Sequence, residues 1–270
     1  MRLINRKPGR VFGALLMLLP FLAVLLAYSL GSEARRAVNP ADKLLPAPAA
    51  IVETAERLAT EPDRRSGRVL LWVDTWASLR RLGQGVGLAA GLGLVFGLAI
   101  GLLPVARAAL ASFVSALSLV PPLAVLPILF IVFGLGELSK VVLIAVGITP
   151  FLIRDLAQRV IEIPGEQLVK AQTLGASSLV IALRVALPQI MPRLLQSVRL
   201  ALGPAWLFLI AAEAIASTDG LGYRIFLVRR FLAMDVILVY VAWITLLAFL
   251  IDWALRAASQ RLYPWAGPVS

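Results

Sequence analysis

Few residues in this chain could do chemistry, and the missing types narrow the field first. Its 270 residues include no cysteine and no histidine. Thiol nucleophiles, disulfides, Cys/His zinc sites and imidazole acid–base catalysis are thereby excluded. No GxxxxGK[ST] phosphate-binding loop occurs, so any nucleotide hydrolysis must be supplied by another subunit. One acid, Glu213, stands well inside an apolar run, Leu209-Ile-Ala-Ala-Glu213-Ala-Ile-Ala216. A carboxylate there is costly and marks a functional position by default. It can meet a cationic solute, pair with an arginine, or cap a neighbouring helix. Glu213 alone, without histidine or cysteine, is thin support for an enzyme.

The second chemical feature is a docking pattern rather than a reaction centre. Residues 154–192 form a polar interruption between apolar runs, with Lys170-Ala-Gln-Thr-Leu-Gly175-Ala-Ser-Ser and Ala186-Leu-Pro188 at its heart. The pattern predicts a short amphipathic helix, a turn at Gly175 where a side chain would clash, and a second helix stopped by Pro188. A structured helix–turn–helix in an aqueous loop implies that something soluble docks there.

The elements that must position these residues are membrane spans. With 60% apolar and 15% charged residues, the composition is not that of a soluble domain. The net charge of +11 comes from basic residues scattered at the ends of apolar runs, where arginines anchor spans at headgroups, and this argues against nucleic-acid binding. Six runs near 20 residues, the length that crosses a bilayer, cover 11–30, 83–103, 108–133, 140–156, 195–217 and 236–255. The first is read as a retained anchor, because no clean small-residue cleavage site follows it. Residues 31–82 are read as an external segment. Within it, 69–82 is expected as an interfacial helix, with Trp72 and Trp76 on one face. Six crossings place both tails (1–10 and 257–270) and the loop 157–194 inside. Arg2, Arg6, Lys7 and Arg10, with the loop's Arg154, Arg159, Lys170, Arg184 and Arg193, favour that orientation.

Two spans carry internal punctuation. Gly83, Gly87 and Gly91 form one row, and Gly93, Gly97 and Gly101 a second on nearly the opposite face, so this helix is expected to be wedged between two neighbours. Pro121-Pro122 and Pro127 must kink or break the third span. Irregular backbone at membrane depth is tolerated where protein covers it or where it lines a watery cavity.

These segments together carry a family resemblance. Ala171-Gln-Thr-Leu-Gly175-Ala-Ser, with Pro188 thirteen residues after the glycine, resembles the EAA loop of permease subunits in binding-protein-dependent ABC importers. Pro121-Pro-Leu-Ala-Val-Leu-Pro127-Ile, Phe133-Gly-Leu-Gly-Glu137-Leu-Ser-Lys140 and Ala212-Glu213-Ala-Ile-Ala-Ser217-Thr-Asp-Gly220-Leu-Gly222-Tyr223 are similar to the nitrate/sulfonate/taurine branch. The likeness runs over roughly residues 45–255.

The resemblance implies an all-α membrane protein with six transmembrane helices, a cytoplasmic coupling helix and a type I-like importer core spanning 83–256. It implies no cofactor in this chain, with ATP and Mg on a partner ABC ATPase subunit. The other implied partners are an extracytoplasmic solute-binding protein, a second permease copy and the lipid bilayer of a bacterial inner (plasma) membrane. Glu166, Lys170, Ala171, Leu174, Gly175, Ala176, Leu187 and Pro188 would contact the ATPase; Pro121, Pro122, Glu213 and Ser217 would line the pathway. One departure is Val169, which stands where the family's loop usually has glutamate, with Glu166 one turn earlier. The implied solute is a small oxyanion or sulfonate; the alternative is a small nitrogen compound such as urea or guanidinium. A secondary transporter would show inverted repeats with two broken helices, a symmetry not seen here.

Overall fold

The computed structural model describes residues 9–39, 42–64 and 66–266, and every regular element among them is helical. Arg2, Arg6 and Lys7 of the N-terminal tail, and residues 267–270 of the C-terminal one, lie outside the described residues. Five helices are long and apolar enough to cross a membrane, six if one sharply bent pair counts as a span.

Helix α1 (Arg10–Val38) passes the expected end at residue 30 and continues through Pro20. Its apolar stretch buries none of its residues against the rest of the chain. It is tied to the segment that follows by Tyr28, whose hydroxyl donates to the Pro46 carbonyl at 2.8 Å, and by Ser32, which donates to Leu45 and Pro46. Helix α2 (Pro48–Thr60) opens on a proline, which suits the first turn because that N–H has no helical partner. It packs against the last long helix, where Thr54 donates to Asp235 at 2.9 Å.

Helix α3 runs unbroken from Leu70 to Leu102, so the separate interfacial helix expected over 69–82 is not formed. The physical reason lies on its hidden face. Asp74, Ser78 and Arg81 are buried among protein partners, which fixes this stretch as the first third of a long helix. Trp72 and Trp76 remain exposed on the other face.

The third span breaks as its prolines predict. Helices α4 (Pro104–Leu117) and α5 (Pro122–Phe133) meet at 97° across Ser118–Pro121. Pro121 and Pro122 cannot donate backbone hydrogen bonds, which leaves the turn without a ladder to continue. Helix α6 (Glu137–Ile161) is the central helix, packed against α3, α4, α5 and α9 (Leu187–Ile215). Between α6 and α9 lie α7 (Gly165–Thr173), α8 (Ser178–Ile181) and a π-turn over Ala182–Ala186. A short α10 (Leu221–Arg229) and the long α11 (Met234–Leu262) complete the chain.

Only one of the two glycine rows is packed. A methyl on Gly93 would stand 2.8 Å from the Cβ of Leu152, and one on Gly97 would stand 2.7 Å from that of Leu156; Gly85 and Gly101 meet α6 in the same way. Without side chains in the way, the α3 and α6 backbones approach closely, which drives helix association where lipid removes the hydrophobic incentive. Gly83, Gly87 and Gly91 have nothing within 4 Å. The expectation of a helix wedged on both faces therefore fails among the described residues, because the row of Gly83, Gly87 and Gly91 meets none of them.

Candidate functional site

The polar loop is built by local rules. Glu166 lies in the first turn of α7 and Lys170 in the last, each sign complementing the helix dipole. Gly175 then adopts φ +78, a left-handed conformation that penalises any side chain, although the surrounding space is open. Its N–H donates to Gln172 at 2.9 Å and that of Ala176 to Ala171 at 3.0 Å, the paired bonds of a Schellman C-cap. Ser177 then caps α8 by accepting from the Val180 N–H. The loop is braced from behind: Leu168 packs on Val160, Ile163, Ala186 and Ile190, and Gln189 donates to Gln167 at 3.1 Å.

Pro188 does not stop the second helix. The chain stays helical from Ser178 to Ile215, and the widened π-turn sits immediately before the proline. The proline ring would clash with the carbonyl four residues earlier and has no hydrogen to offer it. The extra residue of a π-turn accommodates both problems: Leu187 N–H reaches back to the Ala182 carbonyl, and the helix continues.

Glu166, Lys170, Leu174, Gly175 and Pro188 are exposed, while Ala171, Ala176 and Leu187 are half-buried at the base of the same loop. No residue of α7 is buried. Leu174 is 87% exposed, and Val169, Leu179 and Leu183 are also open. That is a row of large apolar side chains projecting from a polar segment.

A buried polar cluster occupies the opposite end of the bundle. The Glu213 carboxylate accepts from Arg81 Nη1 at 2.8 Å, from Ser78 Oγ at 2.8 and 2.9 Å, and from the Gly222 N–H at 2.9 Å. Arg81 also donates to Glu137 through Nε at 2.6 Å and Nη2 at 2.7 Å, and to the carbonyl and carboxylate of Asp219. Asp74 accepts from the Gly220 N–H at 2.9 Å, from Arg224 Nε at 2.8 Å and from the Tyr240 hydroxyl at 3.2 Å. Gly220 has φ +114, and a methyl there would lie 2.5 Å from the Glu213 carboxyl. Five helices are thus joined around Asp74, Arg81 and Glu213, whose side chains are buried, an arrangement that holds only when every group is matched.

The sequence-derived pathway residues fall in two places. Glu213 lies near the end of α9 and Ser217 in the turn that follows it, where Ser217 donates to the Asp219 carbonyl at 2.6 Å. Pro121 and Pro122 lie at the α4–α5 break, and Pro122 lines a cavity of about 240 Å³ with Ser118, Gly147, Phe151 and Phe208. The fold does not bring the two pairs together.

The chain is thus a bundle of five to six apolar helices with a braced polar loop at one end. Residues 89–263 match the family described as the binding-protein-dependent transport system inner membrane component. The chain belongs to this family. The taurine transport system permease protein TauC of Escherichia coli (strain K12) is 39% identical over 199 residues, covering 74% of this chain and 72% of that protein. The putative aliphatic sulfonates transport permease protein SsuC of Bacillus subtilis (strain 168) is 29% identical over 235 residues, covering 82% and 78%. In fold, the chain is similar to the inward-facing MetNI methionine ABC transporter, with a TM-score of 0.63 at 20% identity over 71% of this chain and 95% of that one.

Within this inner membrane component, sequence reading missed most of the polar cluster. Asp74, Ser78 and Arg81 recur at four- and three-residue spacing, one helical face, and that spacing is legible. Trp72 and Trp76 lie on the opposite, exposed face and are the stronger signal in sequence. Asp235 and Asp252 on α11 accept from Thr54 and from Arg199 respectively.

Proposed function

We propose that this chain is the permease subunit of an importer for a small sulfonate such as taurine, working beside a second copy of itself. One observation carries the coupling half of the reading. The α7–Gly175–α8 loop is braced against the bundle yet presents Val169, Leu174 and Leu179 outward. A rigid element with an apolar crest is what an ATPase groove can grip, and the crest has no other use in water. A partner ATPase then docks on this loop, holding ATP and Mg, and its closure moves α7 and α8 as a unit. Both termini and the loop lie on the cytoplasmic side of a bacterial inner membrane, and the solute-binding protein delivers substrate to the opposite end. Residues 83–256 act as the permease core.

The taurine and aliphatic-sulfonate transport for which TauC and SsuC are named supports a sulfonate over the urea- or guanidinium-like alternative. Membership of a binding-protein-dependent family disfavours a gradient-driven secondary transporter.

The test is affinity purification of the tagged chain from detergent-solubilised native membranes, with mass spectrometry of its partners. Recovery of an ATPase containing a phosphate-binding loop is expected. Taurine uptake into proteoliposomes rebuilt from these components then checks the substrate. Isolation of the chain without an ATPase, under conditions that preserve comparable complexes, would remove the coupling half of the proposal.

A further inference from the structure

Arginines within the bundle are neutralised almost throughout. Arg81 meets Glu137, Glu213 and Asp219; Arg193 meets Asp155; Arg199 meets Asp252; and Arg224 meets Asp74. Arg107 and Arg154 differ. Among the described residues, neither has a carboxylate within ion-pair reach. Arg154 Nη1 donates to Ser118 Oγ at 3.0 Å. Arg107 donates through Nε to the Ile100 carbonyl at 3.1 Å and through Nη2 to that of Gly101 at 2.6 Å, closing the end of α3. A guanidinium carries five N–H donors, so both retain spare ones.

These two side chains line one cavity of about 180 Å³ between α4 and α6, with Ser115 and Gln158 also on its wall. Its depth follows from the helices. Arg154 lies seven residues before the end of α6, about 10 Å along the axis. Ser118, its partner, is the first residue of the α4–α5 break, and Arg107 lies in the first turn of α4. The cavity therefore extends from the break toward the end of the bundle that carries the α7–α8 loop.

We propose that this groove is an oxyanion site in which Arg107 and Arg154 together hold a tetrahedral anionic head. Naming the head as the substrate's sulfonate rests on the sulfonate-importer reading above; the oxyanion chemistry does not. Both side chains are exposed and no carboxylate among the described residues neutralises them, so an arriving anion meets two positive charges. The planar guanidinium offers parallel N–H donors that match two oxygens of a sulfonate or phosphate. Two unmatched arginines would repel a guanidinium-like solute. Two sources share the favoured chemistry: a sulfonate on its way through, and the phosphate of a phospholipid headgroup.

The experiment uses the tagged chain purified with its ATPase in a phosphate-free maltoside detergent. Radiolabelled taurine binding and native mass spectrometry of retained phospholipid are compared for wild type, Arg107→Gln, Arg154→Gln and Arg154→Lys. Each Gln variant is expected to weaken taurine binding on the order of tenfold to a hundredfold. Arg154→Lys should fall between, which separates loss of the site from loss of the fold, and phospholipid retention should not change. Loss of retained phospholipid in the Gln variants, with no taurine held by wild type, keeps the oxyanion site and assigns it to the headgroup. Unchanged taurine and phospholipid binding in both Gln variants overturns the proposal, as does a wild type that holds neither. Taurine uptake by wild-type proteoliposomes reports separately on the importer reading, so a failure there is not confused with a failure of the site.

Discussion

Arg81 on α3 and Glu213 on α9, 132 residues apart in sequence, form an ion pair of 2.8 Å with side chains only 2% and 0% exposed. The pair has hydrogen-bonding neighbours on both sides: Ser78 and the Gly222 N–H complete the glutamate, while Glu137 and Asp219 complete the arginine. Glu213 thus has the arginine partner that was one of its three possible uses.

Removing the two members should not cost the same. Glu213→Gln leaves Arg81 with two carboxylates and keeps a group that can accept from Ser78, so a loss of about 1–3 kcal/mol is expected. Arg81→Met leaves Glu213 as a buried carboxylate without a cation, with about 3–5 kcal/mol expected. Thermal unfolding in detergent should rank Arg81→Met well below Glu213→Gln, and equal losses would show that the cluster is not organised around the arginine.

The two glycine rows of α3 should respond oppositely. Gly97→Leu drives a side chain into Leu156 and should separate α3 from α6, with loss of folded protein on size-exclusion chromatography. Gly87→Leu enters open space and should leave the isolated subunit folded. If the second variant folds but no longer forms a permease pair, the open row lies at that junction.

Gly175→Asp should leave membrane insertion and the bundle intact while uncoupling uptake from ATP hydrolysis. A non-glycine residue at φ +78 costs about 1–2 kcal/mol, enough to distort the loop but not to unfold a bundle. Uptake and ATPase rate measured on the same proteoliposomes check this, and normal coupling in the variant would count against docking at this loop.

Pro188→Ala should lengthen the hydrogen-bond ladder rather than the helix, because the helix already continues through this position. Restoring an N–H allows the π-turn to relax to α geometry, so slower amide exchange is expected over 183–192. Faster exchange would restore the view that the proline terminates an element.

Much of the architecture was legible from local signals. Apolar runs locate spans because lipid leaves the backbone no other way to satisfy its polar groups. Gly175 was legible because a left-handed turn selects one residue type, and Pro121-Pro122 because two missing donors cannot be hidden in a helix. The polar cluster was not, because its partners come from helices far apart in the chain: Arg81 reaches Glu137, Glu213 and Asp219 across 56, 132 and 138 residues. The fate of Pro188 was equally hidden, since whether a proline ends a helix depends on whether the preceding turn can widen. The glycine rows show the same limit: spacing reveals a flat face, but only the neighbour decides whether it is used.

The unbroken helix from Ser178 to Ile215 gives the molecule a shaft. Its 38 residues extend about 57 Å, from the polar loop at one end to the Glu213 cluster at the other. A twist applied beside Ser178 arrives at α10 without passing through a hinge loop. The widened turn of that shaft is the π-turn next to the polar loop, and beyond Pro188 the helix continues through Pro192 and Pro204. The polar loop and the Glu213 cluster are then the two ends of a single crank.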